Sequence, residues 1–300
     1  MRHMKSAPQR LDPGAKVQPH TLADLLAWHS PDSPDNLSHM GNDATRHRLL
    51  EGVLLRLARR PDAAEFILRG GLLMRHWFRP VDRPADDVDL VATFPFDFAE
   101  GKRRFHPILA DTSVADGVTF DARRARFEEI WLGEGIPVIR VHVWGMFEGV
   151  EAYFHVDITF GPFPRPAPVY GELPTASGEV ARVRMCRPES VAGHKVAALR
   201  HLNMLNWRPK DLNDLRLLLD RVPMSDAALT ESIAAYLGDL GCTGADARGL
   251  FAPSMWGMKR SAARWQDFVR STPGQGVPSN LQEVVADIAR RLAPVLERVP

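Results

Sequence analysis

The sequence predicts an α+β fold, a mixed sheet covered by helices and followed by a helical C-terminal part. Three observations predict it: short alternating apolar runs recur between residues 65 and 160, helical spacing of Leu, Val and Phe interrupts them, and beyond Arg187 helical spacing dominates. The chain has 300 residues, 45% hydrophobic and 25% charged, enough for one large domain or two modest ones. Its 38 basic and 37 acidic side chains leave a net charge of +1, which excludes nucleic-acid binding by bulk positive field but not by a local patch. Lys occurs only at positions 5, 16, 102, 195, 210 and 259, so a Lys beside a carboxylate motif stands out. Cys186 and Cys242 lie far apart with no Cys/His pattern, which indicates neither a disulfide framework nor a zinc cage. With no apolar core in the first 20 residues and no 18-residue apolar run, a cytoplasmic protein without a membrane segment is expected.

In chain order, residues 1–20 read as a disordered N-terminus and 21–180 as a core domain, with a loop over 30–42. Leu49, Leu50, Val53, Leu54 and Leu57 space a helix that Pro61 and Asp62 end. Residues 65–69 form a strand that runs into Gly70-Gly71, and Leu72, Leu73, Arg75, His76 and Trp77 resume helical spacing. Asp87-Val88-Asp89-Leu90-Val91-Ala92 is a second strand with acidic side chains at alternate positions. A helix carrying Phe98, Phe105, Ile108 and Leu109 follows, then strands around 118–120, 127–132, 136–144 and 151–160. Pro162, Pro164, Pro166, Pro168 and Pro174 mark a connection to a helical domain over 181–300. Its helices are expected near 188–205, 209–221, 226–238, 260–270 and 280–298, with Ser225 and Ser279 as N-caps and Gln282 completing a capping box.

The chemistry concentrates in a few residues. The two-residue period of a strand puts Asp87 and Asp89 on one face, where they repel each other and where a Mg2+ ion would keep both ionised. An isolated D-x-D is equally at home on a solvated loop, so its neighbours decide. Gly70 and Gly71 stand between a strand and a helix, where glycine permits close approach of a phosphate chain to the helix N-terminus. Arg75, one turn on, is a candidate phosphate contact or a surface ion pair. Asp157 alternates with Val156 and Ile158 on a late strand, an unfavourable place for a carboxylate without a partner. His155 shares its face and is a candidate for a supporting role, whereas His194 reads as a packing or surface residue. Lys195 lies two turns into the helix begun by Pro188, and Lys210, Asp211 and Asp214 occupy the first turns of the helix begun by Pro209. The acidic pair could be helix-terminal capping alone, or could orient a lysine toward triphosphate charge.

The ordered set 66-FILRGG-71, Asp87-Val88-Asp89-Leu90 after Arg83, Asp157, Pro188-Glu189 leading to Lys195, and 208-RPKDLNDL-215 resembles the AbiEii-type nucleotidyltransferase toxins of bacterial type IV toxin–antitoxin and abortive-infection systems. The likeness covers residues 66 to 215, about half the chain. It departs from the common pattern at Leu72, where a small hydroxyl residue is usual, and at Ala85, where Ser or Thr often stands. It implies a polymerase-β-like nucleotidyltransferase core, a nucleoside triphosphate substrate, Mg2+ (two ions, with Mn2+ as a substitute), a tRNA 3′ end as acceptor and a cognate antitoxin.

The expected mechanism is two-metal nucleotidyl transfer, with Asp87, Asp89 and Asp157 as metal ligands and Gly70 and Gly71 positioning the triphosphate. Lys195 and Lys210 stabilise the charge building on pyrophosphate, and Asp211 orients a lysine. Two Arg-rich stretches, at 102–104 and 123–126, could meet an RNA backbone or be solvated faces. The competing readings are transfer of a nucleotide to a small molecule or protein hydroxyl, and a non-catalytic nucleotide-binding interaction module.

Overall fold

The computed structural model describes residues 42–78, 84–132, 135–252 and 256–300, with the backbone alone at 132 and 203–206. The disorder expected over 1–20, the start of the core at 21, most of the 30–42 loop and Arg83 lie outside the described residues.

Asn42 accepts from the Thr45 amide and starts α1 (Asp43–Ala58), whose Leu49, Leu50, Val53, Leu54 and Leu57 are buried as the spacing predicts. β1 (Phe66–Arg69) passes directly into α2 (Gly70–Phe78), and β2 (Asp87–Ala92) returns antiparallel beside β1. Asp97 caps α3 (Phe98–Ala110). β3 (Val118–Phe120), β4 (Arg126–Leu132), β5 (Ile136–Phe147) and β6 (Val150–Thr159) then build one side of the sheet, with β6 pairing parallel to β2.

The Pro-rich connection hides a hairpin that the sequence reading missed. β7 (Val169–Pro174) and β8 (Val180–Met185) pair antiparallel, and β8 lies parallel to β1. The sheet therefore extends to Met185. Its order is β3-β5-β6-β2-β1-β8-β7, with β4 on the same edge of β5 as β3.

The two faces of this sheet differ. Val141, Val143, Val156, Ile158, Val88 and Leu90 are buried on one, where Leu49 of α1 stands against Gly145 and Gly101 of α3 against Ile139. The other face carries Arg69, Asp87, Asp89, Arg140, His142, Trp144, Tyr153, His155, Asp157 and Thr159. A strand can hold so many polar groups only where they pair with one another or meet solvent or ligand.

Among the described residues six helices follow: α4 (Pro188–Asn206), α5 (Pro209–Arg221), α6 (Asp226–Asp239), α7 (Gly244–Leu250), α8 (Lys259–Ser271) and α9 (Leu281–Leu296). Ser225 caps α6 as expected, but Asn280 rather than Ser279 caps α9, because its side-chain oxygen accepts from both Gln282 and Glu283. The unforeseen α7 is short and starts at a Thr243/Asp246 capping box. Trp207, Trp256 and Trp265 pack ring to ring at 5.0 and 6.5 Å and anchor these helices. No helix among the described residues is long and apolar enough to cross a membrane.

Candidate active site

Strand pairing gathers residues that are far apart in sequence. Asp89 stands in register with Asp157 and Asp87 with His155 across β2 and β6; Arg69 pairs with Asp89 across β1 and β2. On the far side of β6, Arg140 of β5 is in register with Asp157 and His142 with His155. Residues in register project to the same face, so the three aspartates share one surface.

Gly70 joins the α2 N-terminus to this surface. Its φ is +73°, and a Cβ added there would overlap the Asp89 carboxylate. Only glycine fits both the backbone and the contact. The unpaired N–H groups at the start of α2 are thereby brought beside Asp89, a suitable setting for anionic oxygen.

Burial, and after it the neighbouring Asp89 charge, pushes the Asp87 carboxyl up to about 7, while Lys210 opposes the shift. The pair is therefore short of positive charge. His155 Nε2 lies 3.5 Å from Asp87 Oδ2 and 3.8 Å from Asp157 Oδ2, and burial holds its pKa below the usual imidazole value, so it does not supply a proton's charge at neutral pH. A hard divalent cation fits this need: the donors are oxygens of two carboxylates that repel each other on one strand face. Among the described residues no three Asp, Glu, His or Cys side chains converge as a ready metal cage. Mg2+ sites of this kind take only one or two carboxylates and draw their remaining ligands from water and substrate phosphates.

Asp157 is otherwise engaged. Arg140 donates two hydrogen bonds to it, from Nε and Nη2, each 2.8 Å, and that pairing keeps the guanidinium pKa above its ordinary value. The sequence reading overlooked Arg140, although Arg140, His142 and Trp144 alternate with Val141 and Val143. His142 completes a second polar group on this face, bonded to Tyr153 at 2.7 Å and to Glu128 at 3.0 Å.

The helical residues divide. Lys195 is buried, its ammonium 2.8 Å from Asp211 and 3.0 Å from Asp214; burial acts to lower its pKa, but the two carboxylates outweigh it and the net shift is upward. Asp211 thus holds Lys195, one of the two lysines it was expected to orient. Lys210 is exposed and close enough to Asp87 for its charge to be felt there. Arg75 turns elsewhere: its Nε lies 3.3 Å from His47 Nε2 on α1, and it lines a small cavity with Glu51, His76 and Thr175. The side chain emerges from α2 toward the helix packed on the other sheet face, so Arg75 is not brought to the aspartates. His194 lies edge-on to the Tyr236 ring, 5.6 Å between centroids.

The two Arg-rich stretches also separate. Arg103 and Arg104 bond to Glu100 on α3, the helix over the opposite face. Arg124 and Arg126 lie over the Trp144 ring at 4.4 and 5.3 Å, on the same face as Asp157, and Arg124 also pairs with Glu151.

Comparisons with known proteins bear on this arrangement. No curated protein matches the sequence. Among solved structures, the crystal structure of JHP933 from Helicobacter pylori superposes with a TM-score of 0.50 at 14% identity, covering 86% of this chain and 94% of that one; this likeness shows the fold. The solution structure of antibiotic-resistance factor ANT(2″)-Ia (TM-score 0.38, 15% identity, 67% of this chain and 95% of that one) is a more distant match. So is a nucleotidyltransferase-like antigenic protein of Paracoccidioides brasiliensis (TM-score 0.38, 14% identity, 67% and 88%). The family model described as "Nucleotidyl transferase AbiEii toxin, Type IV TA system" matches residues 52–287 and so includes every described strand, α2 and the helices that carry Lys195 and Lys210. That span is most of the chain: the protein belongs to the AbiEii family of nucleotidyltransferase toxins.

Proposed function

We propose that this nucleotidyltransferase moves a nucleoside monophosphate from a nucleoside triphosphate to a hydroxyl at a tRNA 3′ end, in a Mg2+-dependent reaction that releases pyrophosphate. The observation that carries the reading is Asp87 and Asp89 side by side, in register with Asp157 and beside the side-chain-free Gly70 at the α2 N-terminus.

The acceptor oxygen bonds to the α-phosphorus, the bond from that phosphorus to pyrophosphate breaks, and the acceptor hydroxyl proton leaves. Gly70 and Gly71 let the triphosphate approach the α2 N–H groups. Asp87 and Asp89 would hold Mg2+, which when bound neutralises phosphate charge and makes the acceptor hydroxyl more acidic. Asp157, on the acceptor side of that pair, orients the hydroxyl and receives its proton. Lys210 approaches the triphosphate as a mobile cation, and the Lys195–Asp211–Asp214 group fixes the start of α5 from which Lys210 projects. In this reading the helical part that begins at Pro188 supplies the second wall of the cleft. Family membership also implies a cognate antitoxin partner.

The test is incubation with each α-labelled nucleoside triphosphate and a cell extract, with Mg2+ or with EDTA. Label should enter an RNA of tRNA size in a Mg2+-dependent way. Label in protein or small-molecule products would refute the tRNA acceptor, and transfer undiminished by EDTA would refute the metal requirement.

A further inference from the structure

Asp157 is the acidic residue of the site that is already held, and the way it is held has a direction. The triphosphate approach at Gly70 lies on the β1–β2 side of Asp157, whereas Arg140 grips it from β5, the opposite side. Both partners reach solvent: the Arg140 side chain is 30% exposed and that of Asp157 17%. Beyond Arg140 on the same face, Glu128 stands in register with it and meets His142, while Arg126, in register with His142, and Arg124 both lie over Trp144. Two further guanidinium groups, Arg126 and Arg124, therefore lie past Arg140 and Glu128 on the side of Asp157 away from Gly70.

We propose that Arg140 is a latch on Asp157, which a phosphodiester entering over β4 and β5 opens by taking the guanidinium for itself and freeing the carboxylate for the reaction. A phosphate offers the same pair of anionic oxygens to the guanidinium fork as the carboxylate does, so the exchange replaces one bidentate pair with another. While the latch is closed, Asp157 has both oxygens occupied and a positive charge stands beside the place proposed for the cation. Opening removes both obstacles at once, and the aspartate trio is completed only when an acceptor is present. Wasteful hydrolysis of the triphosphate by water is thereby restrained. Arg140 acts as a positioning residue, through Asp157.

The inference rests on the proposed cation site at Asp87 and Asp89, and two measurements test it apart from activity. In the first, Mn2+ binding to the nucleotide-free protein is followed by loss of the free-ion electron paramagnetic resonance signal. Arg140→Gln should bind Mn2+ roughly five- to tenfold more tightly than wild type, and the gain should be clearly smaller in the Asp157→Asn background, where only the loss of the guanidinium charge remains. A misfolded variant would not gain affinity. Unchanged affinity in Arg140→Gln, or a gain equally large without the Asp157 carboxylate, overturns the latch. The double variant Asp87→Asn/Asp89→Asn should lose Mn2+; if it binds as wild type does, the cation site itself is wrong, a result distinguishable from failure of the latch. The second measurement uses a short fluorescent single-stranded RNA in EDTA. Asp157→Asn, with Arg140 released, should bind it several-fold more tightly than wild type, and Arg140→Gln more weakly. Equal affinity in the three proteins overturns the phosphodiester as the opening group.

Discussion

Single residues carry the sharpest consequences. Gly70 sits at φ +73° with no room for a side chain beside Asp89. Gly70→Ala should therefore cost at least ~1 kcal/mol in urea unfolding and displace Asp89 enough to abolish transfer. Asp87 gives a pH signature. Its carboxyl titrates near 7 in the folded protein, whereas an unfolded Asp titrates near 3.8, so as pH rises from about 4 to 7 the unfolded chain ionises first. The folded state loses stability across that window, and the loss is complete above it. In EDTA, Asp87→Asn should thus be more stable than wild type at pH 8, by roughly 1–3 kcal/mol, and equal to it near pH 4. Thermal unfolding of both proteins at the two pH values checks the sign. At this scale the sequence was informative about Asp87, Asp89 and Asp157, because strand periodicity sets their facing, and about Gly70, because a glycine pair marks the strand-to-helix junction. It was silent about Arg140, whose role depends on the β5–β6 register, a long-range pairing that no local pattern encodes.

At the scale of elements, the Lys195 group ties α4 to the start of α5. Asp214 is 1% exposed, so removing the ammonium takes a charge partner from a buried carboxylate. Lys195→Met should destabilise the fold by about 3–5 kcal/mol, read as a lower urea midpoint, and the paired replacement of Lys195 and Asp214 by apolar residues should recover much of that loss. Helices were legible here from Pro188 and Pro209 at their first positions and from Leu spacing. The β7–β8 hairpin was not, since prolines at both ends of β7 and its exposed Val169 and Tyr170 imitate a linker. Arg75 illustrates another limit: its distance along α2 was right for a phosphate contact, but the rotation of that helix, fixed by burial of Leu72, Leu73 and Met74, turns it toward His47.

Across the whole molecule, the sheet order decides the outcome. Placing β6 parallel beside β2 sets Asp157 next to Asp89, and placing β8 parallel to β1 leads the chain from the sheet into α4. α5 packs against α2, which explains how exposed Lys210 comes within electrostatic reach of Asp87. Lys210→Ala should leave stability within about 0.5 kcal/mol of wild type and raise the KM for the triphosphate several-fold, in contrast to replacement of the buried Lys195. The α+β class and the helical C-terminal part could be anticipated from periodicity, whereas strand order and the polar face it assembles could not.

The central claim is that the Asp87–Asp89 face performs nucleotidyl transfer. Its most direct test is the rate of label transfer from an α-labelled nucleoside triphosphate to RNA, compared between wild type and Asp89→Asn at saturating Mg2+, with both proteins folded by circular dichroism. The account predicts a fall of at least ~10²-fold. Transfer by Asp89→Asn at the wild-type rate would contradict it.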